Sequence, residues 1–315
     1  MKIKFILFFS SILILNTKKI SSQGIHITPR PQKIITGNTL LKINSETQIV
    51  FDAKSKTIAN NLQQYFKNGF SLELKTTDFK KLKKNFIDFK IDRSLAQESY
   101  KLIVSKEKIT ITAKNERGLF YGSQTLMQLC SYNSHYSKYE KYLEVKEIII
   151  EDCPRFKWRS FMLDEARYFK GMKQVKMLLD EMSFLKMNVF HWHLVDDQGW
   201  RIEIKKYPKL TEIGSTRKST QIGPLQWESP IQSAEPHSGF YTQEEIKEII
   251  AYAKERHITV VPEIEMPGHS TAAIAAYPWL GTSGKEIEVP IKFGVGKDLS
   301  LIHISEPTRP LYISY

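Results

Sequence analysis

The chain has 315 residues, 41% of them hydrophobic and 25% charged, which is typical of a globular protein with one large domain or two smaller ones. Its net charge is +12, but the lysines are scattered, and one dense group contains Lys80, Lys81, Lys83 and Lys84. This group has no interleaved aromatic residues and no nucleic-acid motif, so we interpret it as a solvated face and expect no nucleic-acid partner. Cys130 and Cys153 lack metal-site spacing, and the sequence leaves open whether they form a disulfide.

Residues 1–22 have the pattern of a secretory signal peptide. Two lysines precede an apolar run over residues 5–15, and Ser21 and Ser22 stand where cleavage would fall. The run is too short to span a bilayer comfortably, although an uncleaved membrane anchor is the alternative. We expect an exported protein (periplasmic, cell-surface or secreted) that is not stably inserted in a membrane.

Residues 25–152 are predicted to form a small α+β domain. Runs rich in β-forming residues occupy 47–51, 86–91, 100–105 and 108–113, and the last two are predicted to pair as a hairpin. Amphipathic helices are predicted over residues 55–66 and 117–130. We find no pattern of chemically active residues here and interpret the domain as structural. Pro154 and a change of pattern mark its end.

Strands and helices alternate in the second half of the chain. Strands are predicted over 158–163, 188–195 and 258–264, with an amphipathic helix over 172–186. A polar insertion over 207–239 precedes another helix, which begins with a capping-box pattern at Thr242 and Glu245. Strands that alternate with helices of this length indicate parallel β/α units, so the predicted fold class is α/β.

Charged residues follow each of these three strands. Arg167 follows the first strand, Asp196 and Asp197 end the second, and the segment from Glu265 to His269 follows the third. The carboxyl ends of parallel strands share one edge of a sheet or barrel, which is where such folds place their sites. We therefore expect these side chains to converge in one functional site.

This set of residues suits a ligand rich in hydroxyl groups. The guanidinium of Arg167 offers a rigid fork of donors, and carboxylates accept from hydroxyls. Asp196 with His269 would form an acid–base relay in which the carboxylate fixes the imidazole tautomer. Tryptophans could stack against a sugar, although each is more often a core residue: Trp192, Trp200, Trp227 and Trp279.

Two alternatives remain open on the residues alone. His191 and His193 face the same way on a strand, so with Asp196 and His269 they could bind zinc in a metal-dependent hydrolase. That interpretation gives Arg167 no role and places the histidine pair before the end of the strand. The second alternative is a non-catalytic carbohydrate-binding protein, which predicts affinity for glycans without turnover.

Three segments closely resemble the catalytic barrel of glycoside hydrolase family 20, the β-N-acetylhexosaminidases: WRSFMLDEARYF, NVFHWHLVDDQGWR and VVPEIEMPGHSTAAIAAYPWL. The region from IHITPRPQKI to ERGLFYGSQTLMQL resembles the family's accessory α+β domain. The resemblance implies that residues 154–299 form about three β/α units of a (β/α)8 TIM barrel. It also implies hydrolysis of terminal non-reducing N-acetylglucosamine or N-acetylgalactosamine with retention of configuration. The 2-acetamido oxygen of the substrate would be the nucleophile, without a cofactor or metal.

The resemblance also assigns roles to individual residues. Arg167 is similar to the arginine that holds O3 and O4 of the sugar, and Asp197 is grouped with it as substrate-binding. Asp196 and His269 resemble the dyad that supports the general acid. Glu265, a third catalytic candidate, stands where many members have aspartate. Tyr168 replaces a histidine common in the family.

One departure from the family concerns the catalytic pair itself. The family's acetamido-orienting Asp and general-acid Glu lie in a His-x-Gly-Gly-Asp-Glu motif, which these 315 residues lack. After Asp298 the chain continues as SLIHISEPTRPLYISY, and we interpret residues 300–315 as a non-native tail, with a divergent natural ending as the alternative. We expect the chain as written to be hydrolytically inactive and poorly soluble, because part of a barrel exposes sheet edges and apolar helix faces.

Overall fold

The computed structural model describes residues 24–78, 82–132, 134–137, 139, 141–223, 229–294 and 296. The predicted signal peptide (1–22) and tail (300–315) lie outside these residues, as do Lys80, Lys81 and Trp227. The strands are β1 (Lys33–Ile43), β2 (Gln48–Val50), β3 (Lys75–Thr77), β4 (Phe86–Ile91), β5 (Tyr100–Val104), β6 (Lys108–Ala113), β7 (Ser134–Ser137), β8 (Tyr142–Asp152), β9 (Ser160–Asp164), β10 (Val189–His193), β11 (Val195–Asp196), β12 (Gly199–Trp200), β13 (Thr216–Arg217), β14 (His237–Ser238) and β15 (Thr259–Glu263). The helices are α1 (Lys56–Phe70), α2 (Glu116–Tyr132), α3 (Met172–Phe184), α4 (Lys209–Glu212), α5 (Gln243–Glu255) and α6 (Thr271–Ala276), followed by a 3-10 turn (Pro278–Leu280).

The first eight strands form one mixed sheet in the N-terminal α+β unit. Their order is β1-β8-β5-β6-β4-β2-β3, with β7 paired to β8. The hairpin of β5 and β6 was predicted from the sequence, and Val104 pairs with Ile109 at its closed end. Neither β1 nor β8 is among the predicted strands. β1 carries Gly37 near its middle, and its register with β8 shifts between Thr36 and Leu40.

Helix α2 packs against the sheet and is buried from Gly118 to Cys130. Two glycines permit this close approach: a Cβ at Gly118 would lie 2.6 Å from the carbonyl oxygen of Ser99, and one at Gly122 would lie 2.5 Å from Ile111. α2 also contacts α1 and α3, so it joins the two halves of the molecule. Cys130 on this helix and Cys153 are both free thiols.

The second unit is built on a parallel sheet in the order β15-β10-β9. Val189 at the start of β10 pairs with Ser160 on one side and Thr259 on the other, and α3 and α5 connect the strands and pack against each other. The predicted capping box of α5 is present, because Glu245 N donates to Thr242 Oγ1 and Thr242 N donates to the Glu245 carboxylate. The α/β fold of a partial barrel behind an α+β domain is confirmed.

Two buried arginines attach the 207–239 insertion to the loops at the strand ends. Arg201 is fully buried and donates to the carbonyls of Glu165, Ala166, Ser215 and Gly239. Burial lowers the pKa of Arg201 to about 10. Arg217 in β13 donates to the carbonyls of Gln198 and Arg167. The insertion is therefore attached to the loops at the carboxyl ends of the parallel strands.

The partial sheet leaves apolar side chains in contact with solvent. On the outer strand β9, Phe161 is 45% and Met162 49% exposed. Within the described ranges, β9 and β15 each pair with β10 alone. No helix in the described part of the chain is long and apolar enough to cross a membrane.

Candidate active site at the carboxyl ends of the parallel strands

The strand register brings the candidate residues to one edge. His193 at the end of β10 pairs with Asp164 at the end of β9 and with Glu263 at the end of β15, so the three strands end in one row. Arg167 follows β9, and the segment carrying Glu265 and His269 follows β15. Asp196 and Asp197 lie in a short hairpin of β11 and β12, because β10 ends two residues earlier than predicted.

The guanidinium of Arg167 is held by acceptors yet remains accessible. Its Nη2 lies 2.6 Å from Asp196 Oδ2, its Nη1 donates to Asp164 Oδ2 at 2.9 Å, and its Nε donates to Gln198 Oε1 at 3.1 Å. The side chain is 27% exposed. A fixed and partly exposed fork of N–H donors is suited to binding hydroxyl oxygens of a ligand.

Asp196 lies at the centre of the site. Its side chain is 1% exposed, and besides Arg167 it contacts His193 Nε2 at 3.1 Å and His269 Nδ1 at 3.2 Å. A carboxylate beside Nδ1 favours the imidazole tautomer that carries a proton on that nitrogen. The side chain of His269 is 34% exposed. The structure thus brings Asp196 and His269 together in the geometry that an acid–base relay needs.

Asp197 is bound by protein donors. One carboxylate oxygen accepts from the backbone N–H and the hydroxyl of Thr271, and the other accepts from Gly296 N at 2.9 Å and contacts His269 Nδ1 at 3.2 Å. The side chain is 1% exposed. The prediction grouped Asp197 with Arg167 as a substrate contact. This geometry favours a supporting role, in which Asp197 anchors the start of α6 beside His269.

A second imidazole extends the network into the sheet. His193 Nδ1 lies 3.0 Å from Glu263 Oε2, which also lies 2.5 Å from His191 Nε2. Burial alone would lower the pKa of His193, but the hydrogen bond to Asp196 and the charges of Asp164 and Glu263 outweigh it and raise that pKa. Glu263 was not singled out from the sequence. The signal that could have identified Glu263 is its position opposite His193 in the neighbouring parallel strand.

Glu265 forms a carboxyl pair with Glu263. Burial, a hydrogen bond to Glu263 and the charge of that neighbour raise the pKa of Glu265. Burial also opposes ionisation of Glu263, but the hydrogen bond from Glu265 and the two histidines lower its pKa. Glu265 therefore ionises less readily than Glu263, and the two carboxyl groups share a hydrogen bond.

Two groups of residues have ligand atoms close enough to hold a metal ion. They are His193 with Glu263 and Glu265, and Asp196 with Asp197 and His269, each set lying within 4.8 Å. In the first group both imidazole nitrogens of His193 already face carboxylates, and in the second the Arg167 guanidinium lies against Asp196. In the first group a cation would have to replace a contact between His193 and a carboxylate, and in the second it would sit beside a positive charge.

The tryptophans divide between core and surface. Trp192 and Trp200 are 1% and 4% exposed and belong to the core of the second unit, where Trp192 packs against Tyr241. Trp279, in the turn after α6, is 63% exposed. Of the described tryptophans singled out from the sequence, Trp279 alone presents a ring to solvent.

Both halves of the chain match models of one enzyme family. Residues 24–153 match the model described as glycosyl hydrolase family 20, domain 2, and residues 156–311 match the model of the catalytic domain of that family. The chain is 38% identical to a β-hexosaminidase of Porphyromonas gingivalis, in an alignment that covers 88% of this chain and 35% of that protein.

Solved structures of the same family are also similar. A β-N-acetylhexosaminidase of Streptomyces coelicolor aligns with a TM-score of 0.74 and 31% identity, covering 87% of this chain and 53% of that chain. An exo-β-N-acetylglucosaminidase of Vibrio harveyi, in complex with N-acetylglucosamine, aligns with a TM-score of 0.71 and 36% identity, covering 81% and 38%. The chain thus spans between a third and about half of these relatives. Because both of its units match, the chain belongs to glycosyl hydrolase family 20.

Proposed function

We propose that the chain provides the sugar-binding and acid-supporting side of a β-N-acetylhexosaminidase site, which removes terminal non-reducing N-acetylglucosamine or N-acetylgalactosamine from glycans. The observation that carries this proposal is the meeting of three groups at the strand ends: the Arg167 guanidinium, the Asp196 carboxylate and the His269 imidazole. Membership of family 20 supports the reaction class, and the Vibrio harveyi relative in complex with N-acetylglucosamine supports the kind of sugar.

In this proposal Arg167 binds hydroxyl oxygens on the ring of the terminal sugar. The fork is held in one orientation by Asp164 and Gln198, so little conformational freedom is lost when a sugar binds. The carboxyl group of Glu265 and the partly exposed imidazole of His269 can also exchange hydrogen bonds with a polar ligand.

Asp196 and His269 support the acid step indirectly, because they position the general acid. With its Nδ1 proton directed at Asp196, the imidazole of His269 presents Nε2 as an acceptor, which can hold and orient the carboxyl group of a general acid. Asp197 holds His269 and α6 in position. The 2-acetamido oxygen of the substrate serves as the nucleophile, as in the family.

Calorimetric titration of N-acetylglucosamine into the 315-residue chain tests the binding role. Arg167→Gln should weaken binding roughly 10- to 150-fold, the loss expected for charge-assisted hydrogen bonds. Arg256→Gln is the matched control, because Arg256 pairs with the exposed Asp180 on the helical surface. Equal affinities of the two variants would refute the role of Arg167. Stoichiometric, tightly held zinc in purified protein would instead favour the metal-dependent alternative.

The proposed location is outside the cytoplasm, on the pattern of residues 1–22. Export would place the site among extracellular or periplasmic glycans. N-terminal sequencing of the mature protein tests this proposal: a start near residue 23 supports it, and an intact Met1 contradicts it.

A further inference from the structure

A cavity of about 610 Å³ lies between the α+β unit and the partial barrel. Arg159 and Lys186 line it. Arg159 is the residue before strand β9, which begins at Ser160, and Lys186 lies three residues before the start of strand β10 at Val189. The candidate active site lies at the opposite ends of the same strands. Five residues of strand span roughly 16 Å, so the cavity is a separate feature of the fold.

Lys186 is a buried cation with few partners. It is 5% exposed, and among the described residues its ammonium has one hydrogen-bond acceptor, the hydroxyl of Thr125 at 3.1 Å. No carboxylate of the described residues lies within 4.0 Å of it. Burial lowers the pKa of Lys186 to about 8. An ammonium has three N–H donors, and leaving such donors unpaired away from water is unfavourable.

The acids of the cavity are already bound by protein donors. Asp152 accepts from the Tyr100 hydroxyl at 2.9 Å and from the backbone N–H groups of Gln32 and Cys153. Glu98 accepts from Arg117 and Arg159 at 2.9 and 3.0 Å. These carboxylates are therefore engaged by other donors, and Asp152 acts on Lys186 only through its charge, which opposes the effect of burial on the Lys186 pKa.

Two further cations line the cavity. Arg30 and Arg155 are exposed, and within the described part of the chain neither forms an ion pair within 4.0 Å. The guanidinium of Arg155 lies 5.7 Å from the centre of the Phe156 ring. The polar groups of the cavity that can still bind a ligand are therefore cations, so a complementary ligand carries a negative charge.

Apolar surfaces form much of the remaining wall. They come from Pro29, Pro154, Phe156 and the ring of Tyr121. Small-molecule sites have volumes of roughly 300–1,000 Å³, lie often at domain interfaces, and combine apolar walls with a few polar groups that orient the ligand. From this arrangement we infer that the cavity binds a small carboxylate with a flat apolar body, its carboxylate on the ammonium of Lys186 and its body against the proline and aromatic walls.

Benzoate is the probe, and benzyl alcohol is a neutral probe of the same shape. Titrated into the 315-residue chain and followed by calorimetry or NMR line broadening, benzoate should bind at least about tenfold more tightly than benzyl alcohol, as a charge-assisted hydrogen bond predicts. Lys186→Met should abolish that difference, whereas Lys173→Met, at an exposed position, should keep it. Benzoate affinity should also fall as pH rises through the pKa of Lys186.

Methionine has a similar unbranched stem, so Lys186→Met should fold and melt no lower than the parent chain. If that variant does not fold, the double variant Arg30→Gln with Arg155→Gln tests the same inference and should weaken benzoate binding severalfold. Three results would overturn the inference: no benzoate binding up to about 10 mM, equal affinity for the neutral probe, or affinity unchanged by the charge-removing variants.

Discussion

Replacing Asp196 with asparagine should destabilise the partial barrel strongly. The carboxylate is 1% exposed and lies 2.6 Å from Arg167, 3.1 Å from His193 and 3.2 Å from His269. Asparagine keeps the size of the side chain but removes the charge that compensates these groups. Removing one partner of a buried ion pair costs about 3–5 kcal/mol, and since Arg167 is 27% exposed we take the lower value of about 3 kcal/mol.

Differential scanning calorimetry measures this loss as a change in melting temperature. For a unit of 150–250 residues, 1 kcal/mol corresponds to about 2–4 °C, so Asp196→Asn should lower the barrel transition by about 6–12 °C. The matched control is Asp180→Asn, because Asp180 pairs with Arg256 at 2.6 Å but its side chain is 52% exposed. An exposed pair contributes about 0–1 kcal/mol, so the control should change by less than about 4 °C. Equal shifts in the two variants would refute the assignment of a buried charge network to Asp196.

Three further predictions concern pH, helix capping and catalysis. The folded-state pKa of His193 is raised above the unfolded value of about 6.5. The stabilisation from its protonated form is therefore fully present below about pH 6.5 and is lost as pH rises through the folded-state pKa. The melting temperature of His193→Gln should lie furthest below that of the parent chain near pH 6, and a difference that widens toward pH 9 would contradict this prediction. Thr242→Ala removes the capping box of α5 and should cost about 1 kcal/mol, seen as a fall of about 2–4 °C, and an unchanged transition would mean that α5 does not limit stability. The 315-residue chain should release no p-nitrophenol from p-nitrophenyl N-acetylglucosaminide above the rate in buffer, because general acid catalysis alone raises the reaction rate about 10²–10⁴-fold. Measurable turnover would contradict the expected absence of the general acid.

Local patterns predicted much of the fold. The capping box at Thr242 and the buried stripe of α3 depend on residues a few positions apart, and both are present. The sequence of β8 also carries a strand signal, because its residues alternate: Leu143 and Val145 are buried while Lys146 is exposed. β1 was harder to predict, because Gly37 and a shift in register interrupt it.

Contacts between distant segments were beyond local patterns. Asp197 was predicted to bind substrate, yet its protein partners Thr271 and Gly296 lie 74 and 99 positions away. The burial of Arg201 also could not be predicted, because its acceptors are backbone carbonyls, which every residue has. The common edge of the site was predictable, because parallel strands place their carboxyl ends together.

Histidine NMR tests most directly whether these groups converge on a sugar. With carbon-13 in the imidazole rings, N-acetylglucosamine should shift the signals of His269 and His193 in a saturable manner. His135, exposed in the α+β unit, should not respond, and Arg167→Gln should abolish the shifts at the same sugar concentration. Unchanged signals of His269 and His193, or shifts that persist without the guanidinium, would contradict a shared sugar site at the ends of the parallel strands.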